Sequence, residues 1–432
     1  IYFIKLRNMF VKTTRELKRI EGMARSPVFA MMSESLKGVR TIRCNGKMNY
    51  FFNSFENTQA AHTKAAFAFM VCSRWFAFHL DIISFVFTSV ASFSAVLFYE
   101  KGWLDIQPSV IGLALTLLIQ ISTTNFPWIV RQSAEVTNQM VSVERLHEFH
   151  ELPPEEAFKL DQDKSIGKDW PLNPSIAVKD LTVRYRTCLP VCIDGLSFAV
   201  GAGERLGVVG RTGSGKSSMV QALLRLLEAE KGFIEIDGLD ISSIGLQRLR
   251  TSMAVIPQSP VLFSGYTVRD NLDPFTKYTD DTIWDALEAV QMMDAIKALP
   301  LQLGAAVAHE GSNFSVGQRQ LICLARAVLL RSNIIILDEP SANVDSKTDQ
   351  LLQKTLRERF SQATIVSVAH RLDTIIDYDK VLVLGDGKMM EFGSPSDLLS
   401  KEDGHFLALV KSTGDEMAKA LLKRARARDN DR

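Results

Sequence analysis

The sequence predicts a chain in two parts, α-helices that cross a membrane followed by an α/β domain, and three observations carry that prediction. Residues 82–99 and 106–130 hold no charged side chain over 18 and 25 positions, and a helix needs about 20 apolar residues to cross a bilayer core. Beyond residue 175, apolar strand runs alternate with helical patterns, as expected of a largely parallel sheet covered by helices. Between one such strand and one such helix stands the glycine-rich turn "GRTGSGKSS", residues 210–218.

Composition limits what these features mean. A length of 432 residues suggests two or three domains. A net charge of +1 gives no bulk electrostatic reason to expect a nucleic-acid partner. The two charge-free stretches are joined by the short link "EKGWLDIQP", which favours a membrane hairpin over a pair of buried soluble helices. Basic residues crowd the outer flanks, with Lys5, Arg7, Lys12, Arg15, Lys18 and Arg19 before and Arg131 and Arg145 after, so both outer ends are expected in the cytoplasm. Five cysteines, at 44, 72, 188, 192 and 323, lack metal-ligand spacing and suit reduced thiols. The first residue is Ile1, inside a helical pattern, and the expectation is a piece of a longer protein.

The elements follow in order. An apolar-basic helix runs to about Arg25 and is expected to break at "RSPVF", since Pro27 disfavours helix at Ser26. A second helical run from about Ser33 leads back to Trp75 and the first span, giving a long helix, a cytoplasmic turn and a returning helix. Arg74, His79 and Asp81 are polar at a costly depth and face either a cavity or one another. After the second span, "SAEVTNQMVSVERLHEFHEL" keeps helical spacing until Pro153 and Pro154. Residues 1–150 thus form a partial transmembrane domain with spans near 80–100 and 106–130, and residues 151–175 a polar linker. The α/β domain occupies residues 176–412, with strands at "SIAVKDLTVRY", "ERLGVVG", "NIIILDE", "TIVSVAH" and "KVLVLGDG", and residues 413–432 form a charged tail.

The glycine-rich turn has the context that a phosphate loop requires, a strand before it and the helix "SSMVQALLRLL" after it. Through Gly210, Arg211, Thr212, Gly213, Ser214, Gly215, Lys216, Ser217 and Ser218 the backbone curls its N–H groups onto phosphate oxygens, aided by the helix N-terminus. Lys216 is expected on the β- and γ-phosphates and Ser217 on Mg²⁺. The apolar strand "IIILDEP" ends in Asp338, expected in the Mg²⁺ shell, and Glu339, expected to polarise the attacking water. His370 ends another strand and Gln258 follows a further one, so these polar residues converge where open α/β sheets bind ligands.

"GRTGSGKSS", "PQSPVLFSG", "FSVGQRQ", "IIILDEPSANVD" and "SVAHRLDT" occur in the order and spacing of ATP-binding cassette domains. With "RELKRIEGMARSPVF" and "VSVERLHEF", nearly the whole chain resembles the C-type, multidrug-resistance-associated branch of exporters. The resemblance implies that Tyr185 stacks on adenine, that Gln258 senses Mg²⁺ and couples to the membrane part, and that His370 contacts the γ-phosphate. It also implies that Ser315, Val316, Gly317 and Gln318 form a signature which, with Asp345, acts on the nucleotide of a different cassette. The usual signature is LSGGQ; here Phe314 and Val316 replace the Leu and the first Gly. A β-branched residue does not adopt positive φ cheaply, so the site completed by Val316 is expected to hydrolyse poorly.

The architecture implied is a truncated cassette exporter, with "RSPVF" as the coupling turn. The activity implied is ATP- and Mg²⁺-dependent export of organic anions, conjugates or drugs across a plasma, vacuolar or lysosomal membrane, with the cassette in the cytoplasm. Its partners are a first cassette with further spans, or a second copy, and no nucleic acid. An ATP-gated channel or a nucleotide-sensing regulatory subunit carries the same motifs. The two spans disfavour a soluble ATPase of DNA repair or translation.

Overall fold

The structure, a computed structural model, describes residues 2–101, 107–122, 126–167, 169–339, 345–369 and 371–430. It comprises two compact units, Ile1–Pro154 and Glu155–Arg432.

The first unit is helical: α1 (Tyr2–Lys37), α2 (Val39–Cys44), α3 (Met48–Glu100), α4 (Pro108–Gln120) and α5 (Phe126–His150). Leu6 and Phe10 of α1 are buried with Phe76 and Leu80 of α3 and Val130 of α5. The rings of Phe10 and Phe76 stack at 4.0 Å. At 53 residues α3 is about 80 Å long by its rise of 1.5 Å per residue, well beyond a bilayer core. Among the described residues α3 is the one helix long and apolar enough to cross a membrane. It bears Phe78, Phe85, Phe87 and Phe93 on its exposed surface. The second expected span falls on α4, only 13 residues long, and the start of α5, while residues 106 and 123–125 lie outside the described residues.

The expected break at Pro27 does not occur. α1 runs through Pro27 to Lys37, and the chain reverses at α2, between Lys37 and Met48. A proline inside a helix costs one hydrogen bond and a steric clash, but contacts with α3 hold α1 on both sides of it. Glu21 meets His62 at 3.4 Å before it, and the Thr58 hydroxyl approaches the Met31 sulfur at 3.8 Å after it.

The second unit holds two sheets rather than the single, largely parallel one expected. In the larger, the order is β10 (Lys388–Gly393), β9 (Lys380–Gly385), β3 (Arg205–Gly210), β8 (Thr364–Val368), β7 (Ile334–Asp338), β6 (Met253–Ile256), all parallel except the β10 edge. The smaller sheet is antiparallel, in the order β2 (Val191–Val200), β1 (Ile176–Arg184), β4 (Ala229–Ile236), β5 (Leu239–Asp240). The run "SIAVKDLTVRY" therefore belongs to this second sheet. Helix α6 (Lys216–Leu223) follows β3, and α7 (Leu246–Thr251), α8 (Val268–Leu272), α9 (Asp280–Ala289), α10 (Met293–Lys297) and α11 (Val316–Leu330) precede β7. After β7 come α12 (Ser346–Arg359), α13 (Leu372–Ile375), α14 (Pro395–Leu399), α15 (His405–Lys411) and α16 (Asp415–Asn430).

Both segments expected outside the domain pack onto it. From Glu155 the polar stretch is a strap: Ala157 and Phe158 carbonyls accept from the Leu246 and Gln247 amides at 3.2 and 3.0 Å, Asp163 accepts from Gly245 N at 2.9 Å, and Trp170 is buried. In the tail, Ala418, Leu421 and Ala425 of α16 share a core with Phe406 and Val410, a helical spacing that gives one apolar stripe.

Candidate functional site

The site begins where β3 ends. Gly210 closes the strand, the loop curls, and Gly215 in the left-handed conformation (φ 99°) caps α6, whose first residue is Lys216. A side chain at Gly215 would also lie 2.9 Å from the Cys192 carbonyl oxygen. Lys216 is buried, and its ammonium folds back into the loop, donating to the carbonyls of Gly210 and Arg211 at 2.8 and 3.0 Å. Ser214 is buried too, and its hydroxyl has no hydrogen-bond partner among the described residues. An orphaned hydroxyl and an ammonium turned into one small loop fit a phosphate, which supplies acceptors for both. Tyr185 is exposed, with its phenol 3.1 Å from the Ser218 hydroxyl on α6. The ring therefore borders the loop.

Three further strands bring their ends to the same edge. Parallel pairing sets Val208 of β3 opposite Val368 of β8, Val368 opposite Asp338 of β7, and Leu337 of β7 opposite Ile256 of β6. The residues that follow these strands are thereby gathered at the carboxyl edge, where open α/β sheets bind ligands. Glu339 adopts a left-handed backbone (φ 47°) and donates its N–H to the Val368 carbonyl at 3.0 Å, which turns its side chain out of the strand. Gln258 then donates from Nε2 to Glu339 Oε2 at 2.8 Å. Burial lowers the Lys216 pKa against the raising pull of Glu339 and Asp338. Burial likewise raises that of Asp338, with Glu339 adding and Lys216 opposing. Lys216, Asp338, Glu339 and Gln258 therefore form one electrostatic group. Ser217 follows Lys216 at the start of α6. A hydroxyl, a carboxylate and an amide oxygen are hard donors of the kind Mg²⁺ prefers, and no group of three His, Cys, Asp or Glu side chains suited to a metal is found among the described residues. His370 lies outside the described residues.

The signature residues gather separately. Ser315 caps α11 in a reciprocal box: its hydroxyl accepts from Gln318 N at 3.1 Å, and Gln318 Oε1 accepts from Ser315 N at 2.9 Å. Asp345 caps α12 and accepts from the Thr348 amide and hydroxyl at 3.1 and 2.8 Å. A side chain at residue 317 would meet that hydroxyl at 3.2 Å and the Asp345 carboxylate at 3.4 Å, so Gly317 is what lets the two helix starts approach. Val316 is the first residue of α11, with an exposed side chain. The expected conflict between a β-branched residue and positive φ does not arise, because the cap delivers the chain to residue 316 already helical. What Val316 adds is bulk in front of the helix N-terminus.

Sequence reasoning passed over Gln320, a wholly buried amide on α11, and Arg250, which joins the strap to the end of α6 through Glu155 and the carbonyls of Leu224 and Arg225. The signal for Gln320 was a polar residue on the buried face of "QLICLARAVLL".

Two family models match the chain: "ABC transporter transmembrane region" over residues 2–123 and "ABC transporter" over residues 193–342. ATP-binding cassette sub-family C member 4 of Mus musculus is 42% identical over 426 residues, 99% of this chain and 32% of that protein. ABC transporter C family member 8 of Dictyostelium discoideum is 42% identical over 95% of this chain and 25% of its own length. The probable multidrug resistance-associated protein lethal(2)03659 of Drosophila melanogaster is 40% identical over 98% of this chain and 30% of its own. The chain thus spans about a third or less of the length of these relatives.

Proposed function

The chain belongs to the ABC transporter family, and on that premise we propose that its second unit binds and hydrolyses ATP to drive export of organic anions, conjugates or drugs through a pathway to which the first unit contributes helices. The observation that carries this reading is the group at the carboxyl edge of the large sheet, where the phosphate loop, Asp338 and the Gln258–Glu339 hydrogen bond meet. Lys216 and the amides of residues 210–218 hold the β- and γ-phosphates. Tyr185 supplies an aromatic face for adenine. Ser217, Asp338 and Gln258 would hold Mg²⁺, which when bound offsets the charge on the phosphates. Glu339 accepts the proton of the attacking water, and the amide of Gln258 fixes the direction of its carboxylate. His370 is assigned to the γ-phosphate by its motif alone. Ser315, Val316, Gly317, Gln318 and Asp345 face a second cassette's nucleotide, from the rest of a longer chain or a second copy. The setting proposed is a multi-pass membrane protein with its cassette in the cytoplasm and an organic-anion or drug-like cargo.

Two substitutions separate binding from chemistry. Glu339→Gln should keep ATP affinity and lower turnover by about 100-fold or more, the range for losing a general base. Lys216→Ala should weaken ATP binding itself by about tenfold or more, since a charge-assisted contact to phosphate is lost. Turnover near wild type in the first would remove Glu339 from its role, and unchanged affinity in the second would remove the loop from its own.

A further inference from the structure

Helix α11 carries one polar side chain where its neighbours are apolar. Gln320 is 0% exposed, among Leu321, Ile322, Cys323 and Leu324, all buried. Its Nε2 donates to the Pro257 carbonyl at 3.2 Å, and its Oε1 is buried with no partner among the described residues. The donor bond fixes how the amide faces, because the opposite flip would set two oxygens against each other. An apolar side chain of similar shape would remove the buried Oε1 but leave the half-buried Pro257 carbonyl without its donor, exchanging one unpartnered acceptor for another. Fold stability therefore gives glutamine little advantage at this position.

Its partner does. Pro257 immediately precedes Gln258, whose amide holds Glu339 at 2.8 Å. The same helix grips the far end of this loop, where Arg326 donates to the carbonyls of Val261 and Asn271 at 2.8 and 2.6 Å. The loop is thus fastened to α11 at both ends, and α11 itself starts at the Ser315 cap. The geometry points to Gln320 as a positioning residue that registers the Gln258 loop on the signature helix, so that the direction of Glu339 depends on where α11 sits. The inference deepens the reading above and rests on it. A nucleotide drawn against Ser315 loads α11, α11 carries the Pro257 carbonyl through Gln320, and Gln258 and Glu339 follow.

The test compares, in the full-length protein in membrane vesicles, wild type with Gln320→Met, Gln320→Leu, Gln258→Ala, the Gln320→Met/Gln258→Ala pair and Glu339→Gln. Gln320→Met should lower ATP turnover about tenfold, the scale of a small misplacement of a catalytic group. The KM for ATP should stay within about twofold and the unfolding midpoint within about 2 °C, because the Pro257 carbonyl replaces Oε1 as the one unpartnered acceptor. Gln320→Leu should behave alike. The double variant should be no slower than Gln258→Ala alone, since both act through one amide and their effects do not add. Unchanged turnover in Gln320→Met, a loss of turnover that tracks a lowered midpoint in both Gln320 variants, or additive losses in the pair would each overturn the inference. Glu339→Gln keeps the two questions apart: wild-type turnover there would overturn the assignment of the site itself.

Discussion

Lys216 and Asp338 carry opposite charges in a setting that penalises both. Burial is the leading cause in each case, lowering the Lys216 pKa and raising that of Asp338. A carboxyl whose folded pKa lies above its unfolded value contributes most to stability at low pH, and that contribution is lost as pH rises through the folded pKa. The lowered Lys216 pKa works downward from the ordinary lysine range and the raised Asp338 pKa upward from the ordinary aspartate range, so the slope that begins on the acid side belongs to the acid. Mg²⁺ requires the ionised carboxylate. Between about pH 4 and 7, above the ordinary aspartate value, the stability advantage of Asp338→Asn over wild type should grow with pH, while Mg²⁺-dependent ATP binding by wild type strengthens. Calorimetric midpoints and nucleotide titrations at both ends of the window check this, and an advantage independent of pH would refute it. Val316 poses the other question at this scale. Because residue 316 is helical, Val316→Gly should act by uncovering the N–H groups of α11, tightening a partner cassette's nucleotide by about 1 kcal/mol, or roughly fivefold, if one charge-assisted bond is gained. Nucleotide at Lys216 should be unaffected. Photolabelling of each cassette with an ATP analogue decides, and a change confined to the Lys216 site would defeat the reading. The cap at the start of α11 was legible from Ser315; the conformation of residue 316 was not, because it follows from the reciprocal cap and not from the identity of the side chain.

At the scale of elements, what was legible depended on how each segment is buried. "NIIILDE" and "TIVSVAH" are continuous apolar runs because both faces of the central strands are covered. The antiparallel sheet was hidden by β4, whose "AEKGFIEI" is exposed over its first five residues, and by β2, whose alternation breaks at the exposed pair Asp194 and Gly195. Pro27 misled because the rule for the preceding residue is local and the contacts holding α1 are not. The strap looked like a linker for a similar reason: its polar groups are used, but by partners some 80 to 160 residues away. Arg250 is the joint. It pairs with both Glu155 oxygens at 2.8 and 3.0 Å and donates to the Leu224 and Arg225 carbonyls, just beyond the C-terminus of α6, at 3.1 and 2.9 Å. Arg250→Ala should destabilise the second unit by about 2 kcal/mol, a fall of about 5 °C in its midpoint, since several charge-assisted bonds to helix-end carbonyls go at once. Glu155→Gln leaves those carbonyl bonds in place and should shift the midpoint far less, because exposed ion pairs contribute little. Equal falls in the two variants would assign the strap's hold to the ion pair alone.

At the scale of the whole molecule, the second unit holds the glycine-rich loop and the Gln258–Glu339 pair on one set of strand ends, and the Ser315 cap at the start of a separate helix, the proposed signature. If the signature serves a nucleotide held elsewhere, hydrolysis requires two cassettes, and the identity of the second is testable by complementation. Lys216→Ala removes a chain's own phosphate site and leaves its signature, whereas Ser315→Arg blocks the signature and leaves the phosphate site. Were this chain to pair with itself, a mixture of the two variants would rebuild one intact sandwich in each mixed pair. Half the pairs would be mixed and each would hold one working site of two, so about a quarter of wild-type turnover would return, and the wild-type rate would climb with the square of concentration at low occupancy. We expect neither. Residues 1–432 expressed alone should bind ATP through Lys216 and turn it over slowly at every concentration, and the mixture should stay as slow as its parts, because Val316 puts bulk at the proposed signature and the chain spans about a third of its relative's length. Adding a different cassette that brings an LSGGQ signature should raise turnover at Lys216. Restored activity in the mixture would replace that pairing with a homodimer and would move the Val316-bearing signature onto the hydrolytic site itself.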